Sequence, residues 1–204
     1  MGASARDEWL RLLWRTELSK VDARLLVFVD ECGTNTSLAP LYAYAPRGSR
    51  AHGKVPRNRG KNTTLVASMT ISGMGEAMAF EGATDASTFE AYVERFLAPT
   101  LKEKQIVVMD NLGAHRGGKV RKLIEARGAQ LWFLPSYSTD LNPIEEAFSK
   151  IKALLKKKAA RTKGALLEAI AEALQAVTPK DAEGWFAHCG YDPEAQYYEH
   201  RCIE

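Results

Sequence analysis

Three acidic residues stand where a carboxylate can do more than face solvent. Asp30 ends LLVFVD, Asp110 ends IVVMD, and Glu145 follows Asn142 and Pro143 in FLPSYSTDLNPIEEAF. Hard divalent cations select carboxylate oxygens, and two such ions about 3.5–4 Å apart can activate an attacking oxygen and stabilise a leaving one in a phosphodiester displacement. Crowded without a cation, three carboxylates would repel one another and raise a pKa, so the trio makes chemical sense with metal bound. Each acid alone also has an ordinary use. Asp30, and Asp110 with Asn111, could be turn residues after strands, and Glu145 could favour a helix dipole or complete a capping box.

The trio works only if three elements deliver it to one place. LLVFVD and IVVMD are short apolar runs of strand character, and as parallel neighbours they would release both aspartates at the sheet edge where open α/β sheets place ligands. The third acid needs a helix with a fixed entrance. Asn142 suits the N-cap and Pro143 the first helical position. Ile144, Phe148, Ile151 and Leu155 then repeat at the spacing of a buried stripe. At about 100° per residue, Glu145 lies about 100° from Ile144, on the stripe's border, whereas Glu146 lies about 200° away, toward water. Glu145 is therefore the third ligand.

The remaining elements follow from periodicity. Residues 6–19 predict a helix with Trp9, Leu10, Leu13, Trp14 and Leu18 as its apolar stripe. LYAYAP alternates, TTLVASMTIS is β-rich, and EAMAF follows Gly73 and Gly75, which predicts an antiparallel meander. Then come a helix over about 86–98, the strand QIVVMD, a helix after Gly117 and Gly118, the strand AQLWFLP, and the helix from Pro143. Such alternation argues for parallel strands with crossover helices. The fold class is α/β: a mixed sheet, antiparallel first and parallel later, flanked by helices, in the element order of the ribonuclease H-like fold. A helical lead-in (1–24), a catalytic domain (25–180) and a tail packing on the core (181–204) divide the chain.

FVDECG, VVMDNLGAH and LPSYSTDLNPIE, in this order, resemble the catalytic domain of DDE transposases of the mariner superfamily, in its bacterial insertion-sequence branch. The 35-residue step from Asp110 to Glu145 also suits that superfamily. The resemblance implies that Asp30, Asp110 and Glu145 are catalytic metal ligands for two Mg²⁺ or Mn²⁺ ions. It places Glu31, Asn111, His115 and Asn142 at the active-site rim, with His115 either contacting a phosphate or serving only at a helix entry. It implies cleavage and strand transfer at element ends, insertion at TA dinucleotides, and a homodimeric synaptic complex on double-stranded DNA. Ser136 and Thr139 stand where PPYSPDLNPIE has prolines, and Phe148 where a tryptophan is common; turn and apolar character are kept. Relatives carry helix-turn-helix modules ahead of this domain, and fewer than thirty residues precede Asp30. An upstream segment from another reading frame, joined by frameshifting, would supply the module; otherwise the chain is a remnant.

Lys and Arg exceed Asp and Glu by only 28 to 25, but the excess is concentrated. Arg47, Arg50, Lys54, Arg57, Arg59 and Lys61 form one acid-free run, and seven basic residues from Lys150 to Lys163, including Lys152 and Lys156, form another. Such runs neutralise phosphates without regard to sequence, although a solvated surface can look the same. Cys32, Cys189 and Cys202 have no framework spacing, the start of the chain lacks a signal-peptide stretch, and no apolar run approaches the roughly 20 residues of a membrane span. A reducing, cytoplasmic setting follows, and the resemblance implies that it is bacterial and nucleoid-associated. His188, Cys189, His200 and Cys202 match no standard zinc spacing, and Trp185, Phe186 and Tyr191 are expected to cap the core. Two further functions share these features: a DNA-binding remnant without turnover, and a ribonuclease H-like host nuclease acting on RNA in hybrids.

Overall fold

The computed structural model describes residues 7–40, 42–52, 60–111 and 118–191. Five strands form one sheet in the order β3-β2-β1-β4-β5: β1 Leu26–Thr34, β2 Thr63–Thr70, β3 Gly73–Glu81, β4 Ile106–Met109 and β5 Gln130–Phe133. β1, β2 and β3 pair antiparallel, and β4 and β5 add in parallel on the other side of β1. Within the antiparallel half β2 and β3 close as a tight hairpin, whereas β1 and β2 pair across a long connection. Gly73 takes φ +123° opposite Thr70, and Gly75 lets the bulged β2 approach so closely that a Cβ would lie 2.5 Å from Ser68 Oγ. The parallel half needs crossovers. α2 (Ala86–Tyr92), extended by a π turn at Val93–Leu97 and the short α3 (Ala98–Thr100), leads to β4, and α4 (Gly118–Glu125) leads to β5.

Side-chain parity along the strands decides which helices cover which face. Val27, Val29, Val107 and Met109 join Phe89, Tyr92, Val120 and Ile124 on one face. Leu26, Phe28, Cys32, Ile106 and Val108 face the opposite side, with α5 (Pro143–Lys158), α6 (Lys163–Gln175), α7 (Pro179–His188) and α1 (Glu8–Leu18). The α5 stripe behaves as its spacing predicts: Ile144, Phe148, Ile151 and Leu155 are all buried, each worth about 1.5–3 kcal/mol of transfer free energy. α5 stops because Ala159 enters the left-handed region (φ 52°), after three lysines in the last turn that suit the dipole. α7 starts at a Thr178–Asp181 capping box with Pro179 at its first position. It buries Phe186 against Phe28, with Tyr191 beside both.

Three sequence expectations are corrected here. LYAYAP forms no strand over its described residues; Tyr42 and Tyr44 are exposed, so the alternation has no buried face to stabilise it as a strand. α1 buries Arg11, Trp14 and Leu18, whereas Trp9, Leu10 and Leu13 are exposed. Its inward face is set by an ion pair described below as well as by hydrophobicity. β1 does not end at Asp30 but continues to Thr34, paired there with β2 alone. Among the described residues no helix is long and apolar enough to cross a membrane.

Candidate active site

Asp30 and Asp110 come together by register. Val29 pairs with Met109 across the parallel β1–β4 ladder, so the two aspartates stand one step further on, side by side where β4 ends. Both share parity with Phe28 and Val108, so both face the side that α5 covers. Glu145 sits in the first turn of α5, and Asp30, Asp110 and Glu145 line one cavity of about 390 Å³ with Leu134, Tyr137 and Asn142. The three ends required by the sequence therefore meet. Asp30 is buried, Asp110 is half-buried and Glu145 is exposed, which grades the site from sheet floor to open mouth.

Asn142 has a different task from the expected one. It occupies the N-cap position of α5, but its side chain makes no cap hydrogen bond. Instead Nδ2 donates to Asp30 Oδ2 at 2.9 Å, while the Glu31 backbone N–H donates to Asp30 Oδ1 at 2.7 Å. A buried carboxylate makes a stronger demand for donors than an N-terminal turn whose N–H groups can reach solvent or ligand, so the amide turns inward. Asn142 Oδ1 is left buried without a hydrogen-bond partner, a polar atom aimed into a site built for something more than protein.

Glu146 is also not left to solvent. It is half-buried and pairs with His188 Nδ1 at the end of α7, which ties the first turn of α5 to the last turn of α7. With its neighbour thus engaged, Glu145 is the α5 carboxylate that lines the cavity. The loop ahead of Glu145 is held from a direction the sequence did not suggest. Arg11, 2% exposed, donates to both Asp140 oxygens at 3.0 and 2.6 Å. Trp14 Nε1 donates to Tyr191 Oη, which donates to Leu141 O at 2.6 Å. The one available signal was Arg11 itself, at an i, i+3, i+7 position with Trp14 and Leu18, where a buried cation calls for a carboxylate.

The donor set fits a hard divalent cation: three carboxylates and an amide oxygen, all hard oxygens on one cavity. Among the described residues, no three His, Cys, Asp or Glu side chains converge closely enough to hold an ion as they stand. The negative charge of the cavity is felt nearby. Burial pushes the Cys32 thiol up to about 11; Lys152 opposes this, and the charges of Asp30 and Glu145 add to it. Set against the ordinary 9.0, that cuts the thiolate fraction about a hundred-fold. Alkylation at pH 8, read peptide by peptide by mass spectrometry, is expected to label Cys32 at least about a hundred-fold more slowly in the folded protein than in urea. Equal rates would place Cys32 outside this shielded, acid-flanked position.

The other expected site residues divide. Asn111 is exposed and lines both the carboxylate cavity and an adjoining apolar groove of about 480 Å³ beside α1. The Glu31 side chain has the opposite parity to Asp30, on the far face of the sheet. Lys152 and Lys156 continue from Glu145 along one side of α5, and no carboxylate lies in ion-pair range of either among the described residues. Arg47 and Arg50 are exposed and do not line the cavity. Lys61 instead joins Lys163 on Glu81, at the end of β3, and Arg161 donates to the carbonyls of Thr36 and Leu38. His115, Lys54, Arg57 and Arg59, with His200 and Cys202, lie outside the described residues.

A family model described as DDE superfamily endonuclease matches residues 25–167. No curated protein matches the chain. Among solved structures, the Mos1 transposase paired-end complex with left transposon end is similar at 20% identity over 92% of this chain and 57% of that one, with a TM-score of 0.70. The Mos1 mariner paired end complex with Mn is similar at 19% identity over 92% and 58%, TM-score 0.67. The catalytic domain of Mos1 mariner transposase is similar at 17% identity over 92% and 86%, TM-score 0.63. The chain thus spans less than three fifths of the longer Mos1 chains and most of the isolated catalytic domain. These likenesses establish the ribonuclease H-like fold, and the family model, which covers well over half of the sequence, establishes the kinship: the chain belongs to the DDE superfamily endonucleases.

Proposed function

We propose that this chain is the catalytic core of a transposase of the bacterial insertion-sequence branch, cutting double-stranded DNA at element ends and joining the freed 3′ hydroxyl to target DNA. The observation that carries the reading is the meeting of Asp30, Asp110 and Glu145 on one cavity, delivered by two in-register parallel strands and a rigidly entered helix. Asp30, Asp110 and Glu145 would hold two Mg²⁺ or Mn²⁺ ions. Bound there, the metal supplies activation of the attacking oxygen and neutralisation of charge on the leaving one. The chain's own residues do the rest. Asn142 keeps Asp30 in one orientation, Arg11 and Tyr191 hold the loop from Asp140 to Asn142, and Lys152 and Lys156 run from the site as a track for phosphates.

In the first step water attacks a phosphodiester, the P–O3′ bond breaks and a 3′ hydroxyl leaves. In the second that hydroxyl attacks target DNA, releasing another 3′ hydroxyl. Both are in-line displacements at phosphorus, so one carboxylate set serves both. The Mos1 paired-end complexes with Mn and with Mg, and the Mos1 strand transfer complex, support the metal, the DNA and a paired assembly.

The deciding experiment incubates a labelled DNA duplex and an RNA:DNA hybrid with the chain in Mg²⁺ or Mn²⁺. Nicking of the duplex supports the reading. Cleavage confined to RNA in the hybrid overturns it in favour of a host nuclease, and binding of DNA without any nicking in either metal overturns it in favour of a remnant.

A further inference from the structure

Among the described residues three non-glycine residues have positive φ: Lys104, Tyr137 and Ala159. Ala159 terminates α5, and Lys104 sits in the tight turn before β4. Tyr137 also sits in a tight turn, Ser136–Tyr137, but there the left-handed position is given to a large aromatic side chain at the edge of the carboxylate cavity. A bulky side chain at φ 56° carries a steric penalty, and it is kept there because the chain on both sides is tied down. Before it, Leu134 N donates to Met109 O at 2.8 Å. After it, Ser138 is buried, Tyr191 Oη holds Leu141 O, and Asn142 holds Asp30. The strained turn presents the Tyr137 ring at the cavity lined by the three acids, 63% exposed. Among the described residues no ring stacks on it and no group hydrogen-bonds to its side chain. A strained, solvent-facing aromatic ring at the rim of the carboxylate cavity, without a partner among the described residues, is placed to meet a ligand of that cavity.

We propose that Tyr137 is a stacking platform for a nucleobase adjoining the phosphate that the carboxylates act on. The inference rests on the DNA-cleaving reading above. Every base offers a π face, so such a platform is indifferent to sequence, but the base must be unpaired or unstacked on one side to lie on the ring. The rigid backbone then sets the distance between that base and Asp30, Asp110 and Glu145, and so aligns the next phosphate. The protein is therefore a reader of locally opened DNA at the cut, and its substrate class is a duplex with an unpaired nucleotide beside the scissile bond.

The test compares the wild-type chain with Tyr137→Phe and Tyr137→Gly, using a duplex with an unpaired 2-aminopurine next to the scissile phosphate. Glycine accepts positive φ without strain, so Tyr137→Gly is expected to melt no lower than wild type. Bound in Ca²⁺, wild type and Tyr137→Phe should quench the 2-aminopurine, and Tyr137→Gly should not; its KM in Mg²⁺ should rise about ten-fold. Wild-type nicking with equal quenching and equal KM in Tyr137→Gly overturns the platform alone. A lower melting temperature for Tyr137→Gly also overturns it, because the ring would then be packing. If wild type neither binds nor nicks the duplex, the DNA-cleaving reading fails and the platform with it.

Discussion

Replacing Asp110 with Asn is expected to lower DNA nicking by at least about a thousand-fold while leaving the melting temperature of the metal-free protein unchanged or slightly raised. Asn keeps the shape and the half-buried position but loses the charge. The catalytic loss follows from the several kcal/mol of charge stabilisation that a metal-carboxylate site supplies, at 1.36 kcal/mol per ten-fold in rate. The unchanged stability follows from the geometry: Asp110 shares a cavity with Asp30 and Glu145, and removing one of three like charges relieves repulsion there. Glu145→Gln should behave the same way, with even less structural effect because Glu145 is exposed. A second readout separates metal binding from turnover. Mn²⁺ should raise the melting temperature of the wild type, since it binds the folded state alone, and should fail to do so for either variant. Equal nicking by Asp110→Asn and wild type would sink the assignment of the triad.

The second large effect is on folding, and its two halves are unequal. Arg11 is almost fully buried while its partner Asp140 is about half exposed. Truncating Asp140 to Ala leaves the buried guanidinium with only the exposed Glu8 carboxylate, 3.4 Å from Arg11 Nε, and the expected cost is about 3 kcal/mol, the lower end for breaking a buried pair. Truncating Arg11 to Ala leaves a carboxylate that water can still reach, so its cost should be smaller, about 2 kcal/mol, mostly lost packing and hydrogen bonds. In a chain of this size the Asp140 variant should melt on the order of 10 °C lower. The double variant should cost less than the sum, because the stranded cation has been removed. Thermal unfolding of all three checks this; an Arg11→Ala loss as large as that of Asp140→Ala would mean that packing by α1, and not the buried charge, is what matters. The pair also bears on the site, since Asp140 lies two residues before Asn142, which holds Asp30.

Several parts of this architecture were legible because they are encoded over a few neighbouring residues. The Ile144, Phe148, Ile151, Leu155 stripe oriented α5, but helical angle alone misjudged Glu146, which is half-buried on His188 while Glu145 is the exposed one. The switch from hairpin spacing to strand–helix alternation announced a sheet antiparallel on one side of β1 and parallel on the other. The lead-in helix was legible as an element but not in its facing: counting apolar residues favoured Trp9 and Leu13, whereas the fold turned Arg11 inward.

What the sequence by itself determined about this protein is most of the local elements, the acids they carry and the entrance to α5, since period, capping residues and turn chemistry act within a few bonds of themselves; it missed that β1 runs on past Asp30 to Thr34. What only the tertiary structure decided is how polar groups are satisfied across the chain. Asn142 serves Asp30, Arg11 serves Asp140, and His188 serves Glu146, at separations of 112, 129 and 42 residues. A buried polar atom takes whichever partner the fold brings within about 3 Å, and local patterning carries no information about that choice.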